Sequence, residues 1–122
     1  MKKISIKWLK TPQKHDYPAA RAYLNLLLTP REARKIVDKL KRANVEQFAA
    51  KDILRAADVP LLPASDGDVK RDRQSIIQRT ALSPLLLYRD PAFRRVIIAD
   101  GYHRLCAVYS FDEQAMIPCQ IV

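Results

Sequence analysis

The stretch Val96-Ile97-Ile98-Ala99-Asp100-Gly101-Tyr102-His103-Arg104-Leu105-Cys106-Ala107 decides how this chain is read. Four consecutive apolar residues, three of them β-branched, predict a buried strand. Asp100-Gly101 breaks it as a turn, and a helix should follow through about Tyr109. The first N–H groups of a helix have no internal partner, and the helix dipole is positive there. A strand that turns straight into a helix is therefore a ready anion corner. Gly101 permits a tight turn and a close ligand. Arg104, one turn in, offers a fork of donors suited to phosphate or carboxylate. His103 could donate to an anion or shuttle a proton near neutral pH. Asp100 could orient His103, hold a metal-bound water or act as a base, and Tyr102 must lie at the corner. The plainer reading is a turn capped by Asp100, with His103 and Arg104 solvated.

Working outward, Leu85-Leu86-Leu87-Tyr88 pairs naturally with Val96–Ala99 as a hairpin, because Arg89 to Arg95 contains the turn former Asp90-Pro91. Pro118 to Val122 reads as a last strand. The apolar Val59-Pro60-Leu61-Leu62-Pro63, with its two prolines, reads as a short edge strand or extended segment over 59–62. Ser65-Asp66-Gly67-Asp68 offers caps for a polar helix near 68–79. Its anchors are Val69, Ile76 and Ile77, and Lys70, Arg71 and Arg73 project from it.

Toward the N-terminus, Ile4, Ile6 and Trp8 alternate with polar residues, as in a short strand or arm. Asp16 can cap a helix with Pro18 in its first turn, and Ala20, Tyr23, Leu24, Leu27 and Leu28 follow helical spacing. Thr29-Pro30-Arg31-Glu32 is a capping box with proline at the first helical position. Behind it Ala33, Ile36, Val37 and Leu40 form a buried stripe. Arg34, Lys35, Lys39, Lys41 and Arg42 stay outside. A third helix is expected over about 45–57, with Val45, Phe48, Ala49, Ile53 and Ala56 inward. The sum is one α+β domain over 1–122: a basic helical part, 1–57, and a core, 58–122. Its small mixed sheet uses strands near 59–62, 85–88, 96–99 and 118–122, with 4–8 as a further candidate.

Composition narrows the function. The chain has 122 residues, 48% hydrophobic and 29% charged, which suits one globular domain. It has only two glycines, Gly67 and Gly101. A Walker A loop or a Rossmann fingerprint cannot be written with them. No apolar run is long enough for a bilayer or a signal peptide. Cys106 and Cys119 make no disulfide framework, so a reducing cytoplasm is the expected compartment. Both cysteines read as small buried hydrophobes. A zinc site from His103, Cys106 and Cys119 lacks a fourth ligand and the usual Cys knuckle, His15 being the one other histidine. The net charge is +9, and all of it lies in residues 1–42, with 12 Lys/Arg against 3 acids. Residues 43–122 hold 10 of each. Such an excess is a solvated face or a surface for a polyanion.

The segment Val59–Val122 resembles the ParB/sulfiredoxin-like fold. The likeness rests on Val59 to Leu62, the helix with Val69 and Ser75-Ile76, and Ser83-Pro84-Leu85-Leu86-Leu87. It continues through Val96 to Ala107 and ends at Ile117-Pro118-Cys119-Gln120-Ile121-Val122. The N-terminal half is similar to that of small bacterial ParB-like proteins. The resemblance implies that Gly101, His103 and Arg104 grip nucleotide phosphates, and that Ser75 lies near a hydroxyl that contacts nucleotide. Two departures matter. Sulfiredoxins carry their nucleophilic cysteine directly after this glycine, where this chain has Tyr102. A phenol with a pKa of about 10 cannot replace a thiolate, so sulfiredoxin activity is not expected. The helix-turn-helix and second arginine motif of partition ParB proteins are not found within these residues.

Three functions follow as expectations. The first is a nucleotide or other phosphorylated ligand at Asp100 to Arg104, with Lys70, Arg71 or Arg73 adding charge. Hydrolysis or phosphoryl transfer there would use Asp100 or His103 as base and Mg2+ with the nucleotide. The second is nucleic acid held without sequence preference on Arg34, Lys35, Lys39, Lys41 and Arg42. The third is a regulatory subunit that binds another protein.

Overall fold

The computed structural model describes residues 4–122. Helices α1 (Asp16–Leu24) and α2 (Pro30–Arg42) come first, then strand β1 (Val45–Ala49) and helix α3 (Ala50–Ala57). Helix α4 (Gly67–Ile77) leads to strands β2 (Leu85–Asp90) and β3 (Arg95–Asp100). Helix α5 (Tyr102–Phe111) then returns the chain to strand β4 (Met116–Ile121). The fold is α+β. Its sheet is mixed, in the order β1-β4-β2-β3. β1 lies antiparallel to β4, β4 parallel to β2, and β2 antiparallel to β3.

Both faces of the sheet are covered. Leu86, Ile97 and Ala99 share one core with α1 and α2, through Ala20, Leu24, Ala33, Ile36, Val37 and Leu40. Leu85, Leu87, Ile117, Cys119 and Ile121 share the other with α3, α4 and α5. A sheet buried on both sides needs unbroken apolar strands rather than alternating ones, which is why 85–88 and 96–99 read as runs. The basic face of α2 is thus the outside of a helix whose other stripe roofs the sheet. Gln120, buried in β4, ties this roof down. Its Oε1 accepts the Tyr17 hydroxyl at 2.7 Å, and its Nε2 donates to the Ala43 carbonyl at 2.9 Å.

Several expected elements differ. Residues 45–49 form β1 rather than the start of a helix, because pairing with β4 overrides local helical spacing. α3 is the remainder, and its inward residues are Ala50, Ile53 and Ala57, so Ala56 faces out. Residues 59–62 form no strand. Pro60 within the segment removes a ladder donor, and the Tyr102 hydroxyl instead holds the Pro60 carbonyl. The expected strand at 4–8 is reduced to one bridge, Trp8 with Leu82. Asp16 is not the cap of α1; His15 holds that position. Asp16 is instead buried, 2% exposed, and accepts from the Ser83 hydroxyl and from the Gln13 amide at 2.9 Å. Helix α1 stops at Leu24, leaving Leu27 exposed and Leu28 half-buried. The α2 capping box forms as expected: the Glu32 amide donates to Thr29 Oγ1 at 3.2 Å, and that hydroxyl donates to Glu32 Oε1 at 3.0 Å. No helix among the described residues is long and apolar enough to cross a membrane.

Candidate functional site

The strand-to-helix corner forms at the predicted residues. β3 ends at Asp100, Gly101 occupies the N-cap of α5, and Tyr102, His103 and Arg104 make its first turn. Gly101 has φ +109° and ψ 16°. A Cβ there would stand 2.7 Å from Leu85 Cγ and 3.0 Å from an Arg104 guanidinium nitrogen. The glycine is therefore required by the close packing of Leu85 and Arg104 before any ligand is considered. No side chain caps the N-terminus of α5.

Arg104 is not an open fork. Its side chain is only 17% exposed, and Nη2 donates to Asp100 Oδ2 at 2.9 Å and to the Pro84 carbonyl at 3.3 Å. Its Nε is buried without a partner. This corrects the pairing expected for Asp100, which holds Arg104 rather than orienting His103. Burial raises the Asp100 carboxyl above its ordinary range, against the pull of the Arg104 guanidinium. His103 faces α4 instead, with Nε2 3.7 Å from Asp68 Oδ2. Asp72, one turn further along α4, has a raised pKa. Burial is the main cause, opposed first by Arg104 and then by Arg71 and His103. Asp66 caps α4, its Oδ1 accepting from the amides of Asp68 and Val69 at 3.0 and 3.1 Å.

The basic residues expected from the facing helix are mostly committed elsewhere. Arg71 pairs with Asp68 at 2.6 Å. Arg73 stacks 4.1 Å from the Phe111 ring centre and donates to the Ser110 hydroxyl, both at the far end of α5. Ser75, beyond Arg73, donates to the Arg71 carbonyl at 3.4 Å. Lys70 is exposed on α4. The corner thus draws its near charges from Asp66, Asp68, Asp72, Asp100, His103 and Arg104. Sequence spacing did not point to the two acids of α4, although Asp68 and Asp72 stand four apart, on one helical face.

Asp66, Asp68 and His103 bring three ligand atoms within 4.8 Å of one another. Mg2+ favours oxygens in octahedral array and keeps several waters, so two carboxylates fit it in part. Those carboxylates already serve the α4 cap and Arg71. The cysteines take no part: both are buried, and desolvation pushes the Cys119 thiol up to about 12.

A cleft of about 650 Å³ opens beside the corner. Its floor is the whole of β3 with Gly101, and Arg95 stands at the other end. One wall is Ala19, Tyr23 and Leu27; the other is Ala57, Val59 and Pro60, leading to Tyr102. Because β3 is an edge strand, the cleft follows its unpaired side between the two helical layers. A mostly apolar cleft of this volume with a few polar groups at one end has the form of a small-molecule site. Nothing in the sequence signals it, since its walls come from α1 and the turn after it, and from the end of α3 and the chain beyond.

A scan against protein-family models, a search of curated proteins and a search of solved structures each return no match for this chain.

Proposed function

We propose that this protein is a ParB/sulfiredoxin-like ligand-binding domain that takes a nucleotide or other phosphorylated small molecule into the β3 cleft. The observation that carries the reading is the meeting of that cleft with the uncapped N-terminus of α5 at Gly101. Apolar walls suit a base or other flat apolar group. The first amides of α5 suit a phosphate, and His103 stands beside them as a donor or base. Arg104 serves indirectly, by neutralising Asp100 at the mouth of the anion site. Asp66 and Asp68, beside His103, are the residues that would hold Mg2+ brought with a nucleotide, which would supply charge neutralisation at the phosphates.

Arg104→Ala would leave Asp100 half-buried without its cation and so confuses binding with folding. Ala19→Trp is cleaner, because Ala19 is exposed and lines the cleft. The test is a thermal-shift panel of nucleoside mono-, di- and triphosphates, tripolyphosphate and sugar phosphates, with and without Mg2+. At about a hundred times Kd, a ligand adds roughly 2.7 kcal/mol and raises Tm by several degrees. Ala19→Trp should melt cooperatively and lose the shift. If no phosphorylated compound raises the Tm of the wild type, the reading falls.

A second reading has its own observation. Arg34, Lys35, Lys39, Lys41 and Arg42 are all exposed on α2, and none is in an ion pair among the described residues. Lys41 instead lies 5.6 Å from the centre of the Tyr17 ring. Such a face suits nucleic-acid backbone phosphates.

A further inference from the structure

The basic excess of the chain sits in residues 1–42, yet the fold creates a second positive surface in the half whose charges sum to zero. At the tip of the β2–β3 hairpin, Arg89, Arg94 and Arg95 are exposed, and none is in an ion pair among the described residues. The one acid of the tip, Asp90, turns an oxygen to the Ala92 amide at 3.0 Å. The three arginines rim a depression of about 370 Å³ whose apolar side is Ala56, Pro91 and Val96. Phe93 stands out between them, 73% exposed, with the Arg95 guanidinium 5.6 Å from its ring centre.

A single exposed ring needs no explanation, but an exposed ring among three unpaired arginines has a specific chemistry. Arginine forks match phosphate oxygens, and an aromatic face stacks on a nucleobase of any identity. We propose that this hairpin tip binds single-stranded nucleic acid, with a base on Phe93 and adjoining phosphates on Arg89, Arg94 and Arg95. A duplex fits poorly, because its bases are already stacked and offer no free face to the ring. An acidic polypeptide would use the arginines and leave Phe93 idle. The tip shares only Arg95 and Val96, at the end of β3, with the β3 cleft, and Phe93, Arg89 and Arg94 lie outside it, so this inference stands apart from the ligand proposed there.

The test is fluorescence anisotropy with a short fluorescein-labelled oligothymidylate. Phe93→Ala should weaken binding about thirtyfold, the middle of the range for loss of one base–aromatic stack, and leave the salt slope unchanged. Phe93→Tyr should restore it. Arg94→Gln and Arg95→Gln should each lower the slope of log affinity against log salt by about one. All four variants alter exposed side chains, and unchanged melting confirms intact folding. In a protein whose α2 carries Lys35→Gln, Lys39→Gln, Lys41→Gln and Arg42→Gln, the Phe93 effect should persist. The proposal is overturned if the oligonucleotide does not bind, or if Phe93→Ala stays within twofold of wild type in either background. In the α2-substituted protein, equal affinity for a duplex of the same length, or for polyglutamate, overturns it as well.

Discussion

Gly101 shows how a single residue can be fixed by its neighbours. Its φ of +109° lies where L side chains are strained, and Leu85 fills the space a Cβ would need. Gly101→Ala should therefore cost about 2–4 kcal/mol, combining backbone strain with overpacking, read as a lower urea midpoint at unchanged m. A loss under about 1 kcal/mol would mean that the corner relaxes easily. Arg104 is the counterpart. The sequence made it the most inviting anion ligand of the chain, but a residue four after an aspartate on a turn-helix corner also has the option of closing back on that aspartate. The structure takes that option at 2.9 Å. Sequence spacing names both partners and cannot rank them, because the choice depends on the Pro84 carbonyl, which the fold brings in from twenty residues away.

At the level of elements, local signals were legible where one segment satisfies itself. The α2 cap is such a case, with hydroxyl, amide and carboxylate all within four residues. Thr29→Ala should cost about 1 kcal/mol, checked by chemical denaturation, and Thr29→Ser should recover most of it. The β2–β3 hairpin was legible for a related reason: strands buried on both faces carry runs of Leu, Ile and Val. The spacing over 45–57 predicts one helix, whereas its first half is a strand that exists only through its ladder with β4, some seventy residues on. The segment 59–62 failed in the opposite sense. It is apolar and extended enough for a strand, but no neighbour supplies a ladder. The Asp100–Arg104 corner was thus readable from its own residues, whereas its acidic surroundings and its cleft come from α1, α3 and α4.

For the whole molecule, charge and site are separate. The net +9 falls within residues 1–42, and α2 carries +4 of it, whereas the corner is ringed by the carboxylates of Asp66, Asp68, Asp72 and Asp100 around Arg104 and His103. If the second functional reading holds, changing Lys35, Lys39, Lys41 and Arg42 together to glutamine should flatten the salt dependence of duplex binding by as much as about three to four in log–log slope. The same variant should leave nucleotide-induced shifts in Tm unaltered. Retention of full salt-dependent duplex affinity would show α2 to be a solvated roof and no more.

The sheet order has a consequence for how the protein is made. β4 lies between β1 and β2, yet it is the last of the four strands to be synthesised. While the ribosome is still adding residues 50–115, β1 has no ladder partner at all, and the β2–β3 hairpin waits with one side of β2 open. Neither core can close on a complete sheet until Met116–Ile121 has left the exit tunnel. Completion of the sheet therefore waits for Met116–Ile121, and its central pairings join parts of the sequence that lie far apart.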